Sequence, residues 1–478
     1  MNVPLSMGVV LLAAAATAQA PPQFVLQAPA AITQNFVRIS PADVDGDGDL
    51  DLFASRSSFP VTLVTLLRND GAFGFTDVSA TRLPAGLQGQ TVTPFDCDGD
   101  GDLDAFCSGI PSTQTGTLLR NLGSGTFTVA ATFPNLAPGG CVAADLDNDG
   151  DLDLALAASP LLGGLDRVLV NNGVGGFASG PSFPNASGSV GVSDFDGDGD
   201  LDLLYPSPRR LLRNNGGLSF TDVGATQLVL TTPVGLGNVA CGDLDGDGDL
   251  DFVLSAVGGD VLVFDQGSTL VQGGFAPPQP NTTYLELADC DRDGDLDLLR
   301  SHPTGTISFA RNDGHGTFVD DPSRLPLAPI FSTAVHAADL DGDGDPEVLS
   351  CYTGSQALLL RNRHVHLELG AALRGQNWNV ELWSEPGYAA ADGLGVLAVG
   401  LVRLAAPLPL PPFGDLWLDL NGALLVADSI PQSAGRRAFA FAIPAAPQLV
   451  GVGLNVQGLV GAGSGGLHLT ALGIATIQ

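Results

Sequence analysis

The chain has 478 residues, more than the roughly 250–300 at which one hydrophobic core stops growing, so repetition or a second domain is expected. Its 19 basic residues are all Arg against 52 Asp and Glu, a net charge of −33. This excludes Schiff-base and lysine general-base chemistry and disfavours nucleic acid and anionic membranes as partners.

The N-terminus carries an apolar stretch from Met7 to Ala16, then Ala18-Gln19-Ala20, a small-x-small pattern followed by prolines. Residues 1–20 therefore read as a secretory signal peptide cleaved after Ala20, although no Lys or Arg precedes the apolar stretch. Export places the mature protein outside the cell, secreted or at the cell surface. No later run reaches the roughly 18 apolar residues of a membrane helix, because Gly, Pro and Asp interrupt each one. The six cysteines are too sparse for a small disulfide scaffold. Buried thiols are expected, and Cys97 with Cys107, across one predicted hairpin, is the pairing to test.

From residue 21 to 363 one unit recurs seven times. Its Asp-rich loops open at Asp43, Asp96, Asp145, Asp194, Asp243, Asp289 and Asp339, in steps of 53, 49, 49, 49, 46 and 50 residues. Such a period accommodates four short strands and signifies stacked or radial repeats. In each unit a short apolar strand leads into the loop and a second leaves it, as Leu201 to Tyr205 does. A third ends in a turn signal such as Leu66-Leu67-Arg68-Asn69-Asp70-Gly71, whose Asp-Gly supplies positive φ. A fourth opens with an aromatic, as in Phe75, Phe127 and Phe220, expected to pack between blades. The seventh unit stops after its third strand, Ala357 to Arg361, while the mature chain begins with an orphan fourth strand, Phe24 to Gln27. The two complete one blade, which closes a ring and removes open edges. The expected fold is all-β, a seven-bladed β-propeller.

Residues 364–478 lose the Asp motif and hold about seven strand candidates between turn residues, which suggests a C-terminal β-sandwich-like domain.

Each loop has the form Asp-x-Asp-x-Asp-Gly-x-x-Asp. Carboxylates at positions 1, 3 and 5 converge as the chain turns, position 7 offers a carbonyl, and position 9 a further carboxylate. The candidate ligands are Asp43, Asp45, Asp47 and Asp51; Asp96, Asp98, Asp100 and Asp104; Asp145, Asp147, Asp149 and Asp153; and Asp194, Asp196, Asp198 and Asp202. The last three loops add Asp243, Asp245, Asp247 and Asp251; Asp289, Asp291, Asp293 and Asp297; and Asp339, Asp341, Asp343 and Glu347. Six or seven hard oxygens without His or Cys select Ca²⁺ over Zn²⁺, and up to seven ions are expected. An EF-hand would need Glu at position 12, where the first loop has Ala54.

These loops, the Arg-Asn-(Asp/Asn)-Gly turns and the following Phe resemble FG-GAP or VCBS-type repeats of integrin α-like propellers over about residues 21–363. The resemblance implies calcium in the hairpin between the first and second strands, with a structural role and ligands at positions 1, 3, 5 and 9.

No catalytic site stands out. The six His are scattered, and His364-x-His366 reads as a solvated strand face. The Gly-rich run from Gly461 to Gly466 precedes a strand rather than the helix a dinucleotide fingerprint needs. Turns between second and third strands offer Phe59, Tyr205, His302 and Tyr352 as aromatic platforms opposite the loops, and Arg209-Arg210 is a basic pair that a solvated turn explains. The expectation is a secreted, monomeric, non-catalytic scaffold binding an extracellular protein or glycan. The alternatives are a polysaccharide lyase or hydrolase on the same ring, and a structural spacer with a sorting or anchoring tail.

Overall fold

The computed structural model describes most of residues 24–362 and the strands between Leu367 and Thr476. Residues 1–23, Phe59, Arg292, Asp293, Asp343, Tyr352 and residues 363–366 lie outside the described residues, and with them the predicted signal peptide and the His364–His366 pair.

Each predicted unit folds as a four-stranded antiparallel sheet. Blade 1 comprises Phe36–Ala42, Asp51–Ser58, Val61–Asn69 and Phe75–Asp77, paired in that order. Blades 2 to 6 follow at 92–134, 138–184, 191–222, 234–275 and 284–320. The fifth carries an extra short strand, Leu228–Val229, parallel to its outermost one. Blade 7 combines Ala334–Ala338, Glu347–Cys351 and Leu358–Arg361 with Val25–Gln27 from the other end of the chain, in register Val25 opposite Arg361. The ring therefore closes as expected. First strands of successive blades lie side by side around the axis, and the circle is completed by that of blade 7 meeting that of blade 1.

The second strands explain the packing. Their side chains alternate between two buried faces, so they are continuously apolar. Leu52 and Ala54 enter the cluster shared with blade 7, while Phe53 enters that shared with blade 2. Seven such clusters, one per blade interface, form the core. The fourth-strand aromatics sit in these seams: Phe127 meets Phe53 edge-on at 5.3 Å and Phe220 meets Phe183 at 5.5 Å.

All six cysteines are free thiols. Cys97 and Cys107 do not pair, because Cys107 faces the seam with blade 1 and Cys97 the seam with blade 3. Burial pushes the thiols of Cys107, Cys141, Cys241 and Cys351 up to about 12.

After the ring, Leu367–Leu369, Asn377–Trp383 and Arg436–Ala442 form one antiparallel sheet. Gly393–Gly400 lies between Leu424–Ile430 and Gly453–Gly461, and the last also pairs Leu467–Leu469 and Gly473–Thr476. Arg403–Pro409 and Asp415–Leu418 make a separate pair. Two of these strands, at 403–409 and 424–430, were not apparent in the sequence as separate elements.

Candidate metal centre

All seven loops join the first and second strands of their blades and so emerge on one face of the ring. Two left-handed residues turn each loop except the sixth, whose position 4 lies outside the described residues. At position 6 stands Gly48, Gly101, Gly150, Gly199, Gly248, Gly294 or Gly344, with φ between 88° and 97°. Position 4 is left-handed as well: Gly46, Gly99, Gly197, Gly246 and Gly342 have φ of 69–81°, and Asn148 has φ 60°. Asn is the side chain that best tolerates this region. The second requirement was legible in the recurrence of Gly at position 4, but the motif with Gly at position 6 alone does not express it.

The loop carboxylates have distinct tasks. Position 1 holds the turn: Asp43 accepts the N–H groups of Gly46 at 2.8 Å and Gly48 at 3.0 Å, and Asp243 and Asp339 repeat this arrangement. Position 5 accepts the N–H two residues on, as Asp47 does from Asp49. Position 9 is fully buried and clamps two backbone segments. Asp153 accepts from Leu146 at 3.2 Å and Asn171 at 2.8 Å, and Asp104, Asp202, Asp251, Asp297 and Glu347 do the same. Glu347 thus substitutes for Asp at this position in the seventh loop.

Position 3 differs. The Oδ1 atoms of Asp45, Asp98, Asp147, Asp196 and Asp245 are buried and make no hydrogen bond. Buried carboxylate oxygens are rarely left so, since the desolvation cost is not recovered. In the first and third loops one oxygen each from positions 1, 3 and 5 lies within 4.8 Å of the others; in the second, fourth and fifth the trio is positions 1, 3 and 9. Burial also pushes the carboxyls of Asp51, Asp153 and Asp251 up to about 6 and Asp202 to about 7, the neighbouring loop acids adding to it. A divalent cation fits such a donor set, because it satisfies the orphaned oxygens and favours ionisation of all the acids together. Of the proposed ligands, Asp293 and Asp343 lie outside the described residues.

The turn signals at the ends of the third strands do more than turn. Asn69, Asn121, Asn171, Asn214, Asn312 and Asn362 donate through Nδ2 to the carbonyl at loop position 2 of the preceding blade: Leu340, Val44, Cys97, Leu146, Leu244 and Cys290, at 2.7–2.9 Å. Loop and ring closure are thereby linked. Blade 5 has Asp265 at this position, which cannot donate. The preceding Arg reaches its own loop: Arg120 pairs with Asp98, Arg213 with Asp196 at 3.6 Å and Arg361 with Asp341 at 2.7 Å.

The FG-GAP-like repeat family model matches residues 43–107, 98–156, 145–205, 194–254 and 272–350, more than half of the chain. The chain belongs to the FG-GAP-like repeat family. Each of the first four matches begins in the loop of one blade and ends in the second strand of the next, so each spans two successive loops and the strands between them. Among solved structures, this FG-GAP protein is similar to a lectin of Agrocybe aegerita that recognises non-reducing terminal N-acetylglucosamine, at 20% identity over 60% of this chain and 79% of the lectin, TM-score 0.43. It is also similar to BBS1N in its complex with ARL6DN, at 12% identity over 71% and 97% of the two chains, TM-score 0.45. No curated protein matches it significantly.

On the opposite face of the FG-GAP ring, Phe59 and Tyr352 lie outside the described residues, and the other two expected platforms are not exposed. Tyr205 is buried between blades 3 and 4 beneath Arg210, and His302 is buried with Nε2 at 2.9 Å from Ser308 Oγ. Arg210 is no solvated turn residue either: it pairs with buried Asp166 of blade 3 at 2.6 Å and stacks on Phe183 and Tyr205. Arg209 remains exposed and donates to the Leu230 carbonyl.

Proposed function

We propose that the protein is an exported, non-catalytic binding scaffold whose loops take Ca²⁺ and whose ring presents ligand-binding loops to an extracellular protein or glycan. The observation that carries the calcium reading is the buried, unbonded Oδ1 at position 3, repeated in five loops. Bound calcium supplies positive charge and takes oxygen ligands from positions 1, 3, 5 and 9. The chain's own residues do the rest: position 1 fixes the turn, position 9 ties the loop to the third strand, and Asn ties it to the neighbouring blade. A feature shared by every blade supports scaffolding rather than chemistry. No helix among the described residues is long and apolar enough to cross a membrane.

Calcium titration of chelator-treated protein, followed calorimetrically, tests this reading. Several ions per chain with a marked rise in melting temperature are expected, since a ligand that binds only the native state stabilises it. Fewer than about three ions would overturn it, provided calcium is raised to the roughly 10⁻³ M at which extracellular sites fill. A glycan array screened with and without chelator tests the binding role, where calcium-dependent retention without release of sugar ends is the expected result.

A further inference from the structure

The first strands enclose an axial cavity of about 380 Å³, within the range of small-ligand sites. Its wall is lopsided. Blades 1, 6 and 7 contribute Arg38, Tyr284, Glu286 and His336, whereas Gly140 and Ser189 of blades 3 and 4, across the ring, line it with little more than backbone. Arg38 and Tyr284 both stand five residues before the opening aspartate of their loop; Glu286 and His336 stand three before theirs. On a strand this makes two layers about 7 Å apart.

The four side chains form one cluster. The Arg38 guanidinium lies over the Tyr284 ring at 5.0 Å and donates to the Val37 carbonyl at 3.0 Å. Tyr284 meets the His336 ring edge-on at 4.9 Å, and His336 Nδ1 is 3.8 Å from Glu286 Oε2. The buried His336 Nε2 makes no hydrogen bond. Arg120, Arg210, Arg213, Arg300, Arg324 and Arg361 each face a carboxylate, but among the described residues none pairs with Arg38. In a chain so rich in acids, a cation stacked on an aromatic and without a counter-charge is a place for an anion. The other layer suits an uncharged partner: surrounding walls desolvate Glu286 and push its carboxyl up to about 8, so it carries a proton near neutral pH. A second carboxylate is disfavoured there; hydroxyl groups are accommodated.

We propose that the axial cavity binds one small hydroxylated monocarboxylate, the size of a single sugar acid, with its carboxylate on Arg38 and its hydroxyls against Glu286 and His336. This site is separate from the loops and does not depend on the calcium reading.

Isothermal titration of the full chain with D-glucuronate, at about 0.15 M salt with calcium present, tests it. One equivalent binds, D-glucose and acetate bind at least about tenfold more weakly, and Arg38→Gln lowers affinity at least about tenfold. Arg38→Lys keeps the charge without the planar fork and binds severalfold more weakly, which decides the matter should the Gln variant not fold. No binding up to about 10 mM, equal affinity for glucose, or unchanged affinity in a folded Arg38 variant overturns the proposal. Calcium stoichiometry is read separately, so either reading can fail alone.

Discussion

Asp265 is the clearest single-residue anomaly. Six blades latch to their neighbour through an Asn amide, and blade 5 presents a buried carboxylate instead, pushed above its usual range by burial. Asp265→Asn keeps the oxygen that accepts from Gly267 and adds the amide donor that the other six blades use, so differential scanning calorimetry should show a gain of about 1 kcal/mol. The reverse change, Asn121→Asp, removes a buried donor and should cost about 1–3 kcal/mol. Glu286 gives a pH dependence of definite sign. Its carboxyl rises from about 4.5 to about 8 through burial, so the stability it contributes is present below pH 4.5 and is lost as pH rises through 8. Arg38, Tyr284, His336, Cys141 and Cys241 also line the cavity; His336, held down at about 3 by burial and by Arg38, stays neutral over this window. The melting temperature of Glu286→Gln relative to the parent should therefore climb from pH 5 to pH 8 and then level off. A flat difference would show that Glu286 titrates normally.

Among elements, the closing strand carries the most. Phe24 is fully buried in the seam between blades 6 and 7, edge-on to Phe309 at 5.9 Å, and its N–H donates to the Arg324 carbonyl. Phe24→Ala should cost about 3–5 kcal/mol in urea unfolding, because the site is surrounded on all sides and cannot collapse. A loss under 1 kcal/mol would mean that the ring holds without its donated strand. This closure was legible in the sequence because an incomplete last unit and an orphan first strand are complementary halves of one repeat. The turn signal was read correctly as a turn, since Gly71, Gly173 and Gly216 have positive φ. The latch made by the preceding Asn was not legible, because its partner lies in the blade before, some seventy residues away in five of the six cases. Tyr205 and Arg210 were misjudged for a related reason. Turn position suggested exposure, but an inter-blade Asp166 that no local pattern announces draws Arg210 inward over the ring.

For the whole molecule, repetition made blade number, loop placement and closure readable, since each signal recurs in register. What differs between blades had no such reinforcement. The axial cluster of Arg38, Tyr284, Glu286 and His336 comes from three short first strands that meet only when the ring closes. Under the proposed function, the seven acidic loops are one repeated cation site that stabilises the ring. Native mass spectrometry across a calcium titration, paired with melting temperatures of the same samples, tests it most directly. Stepwise uptake approaching seven ions, with melting temperature rising in parallel, is the predicted result; saturation below three ions, or uptake with no change in melting, would contradict it.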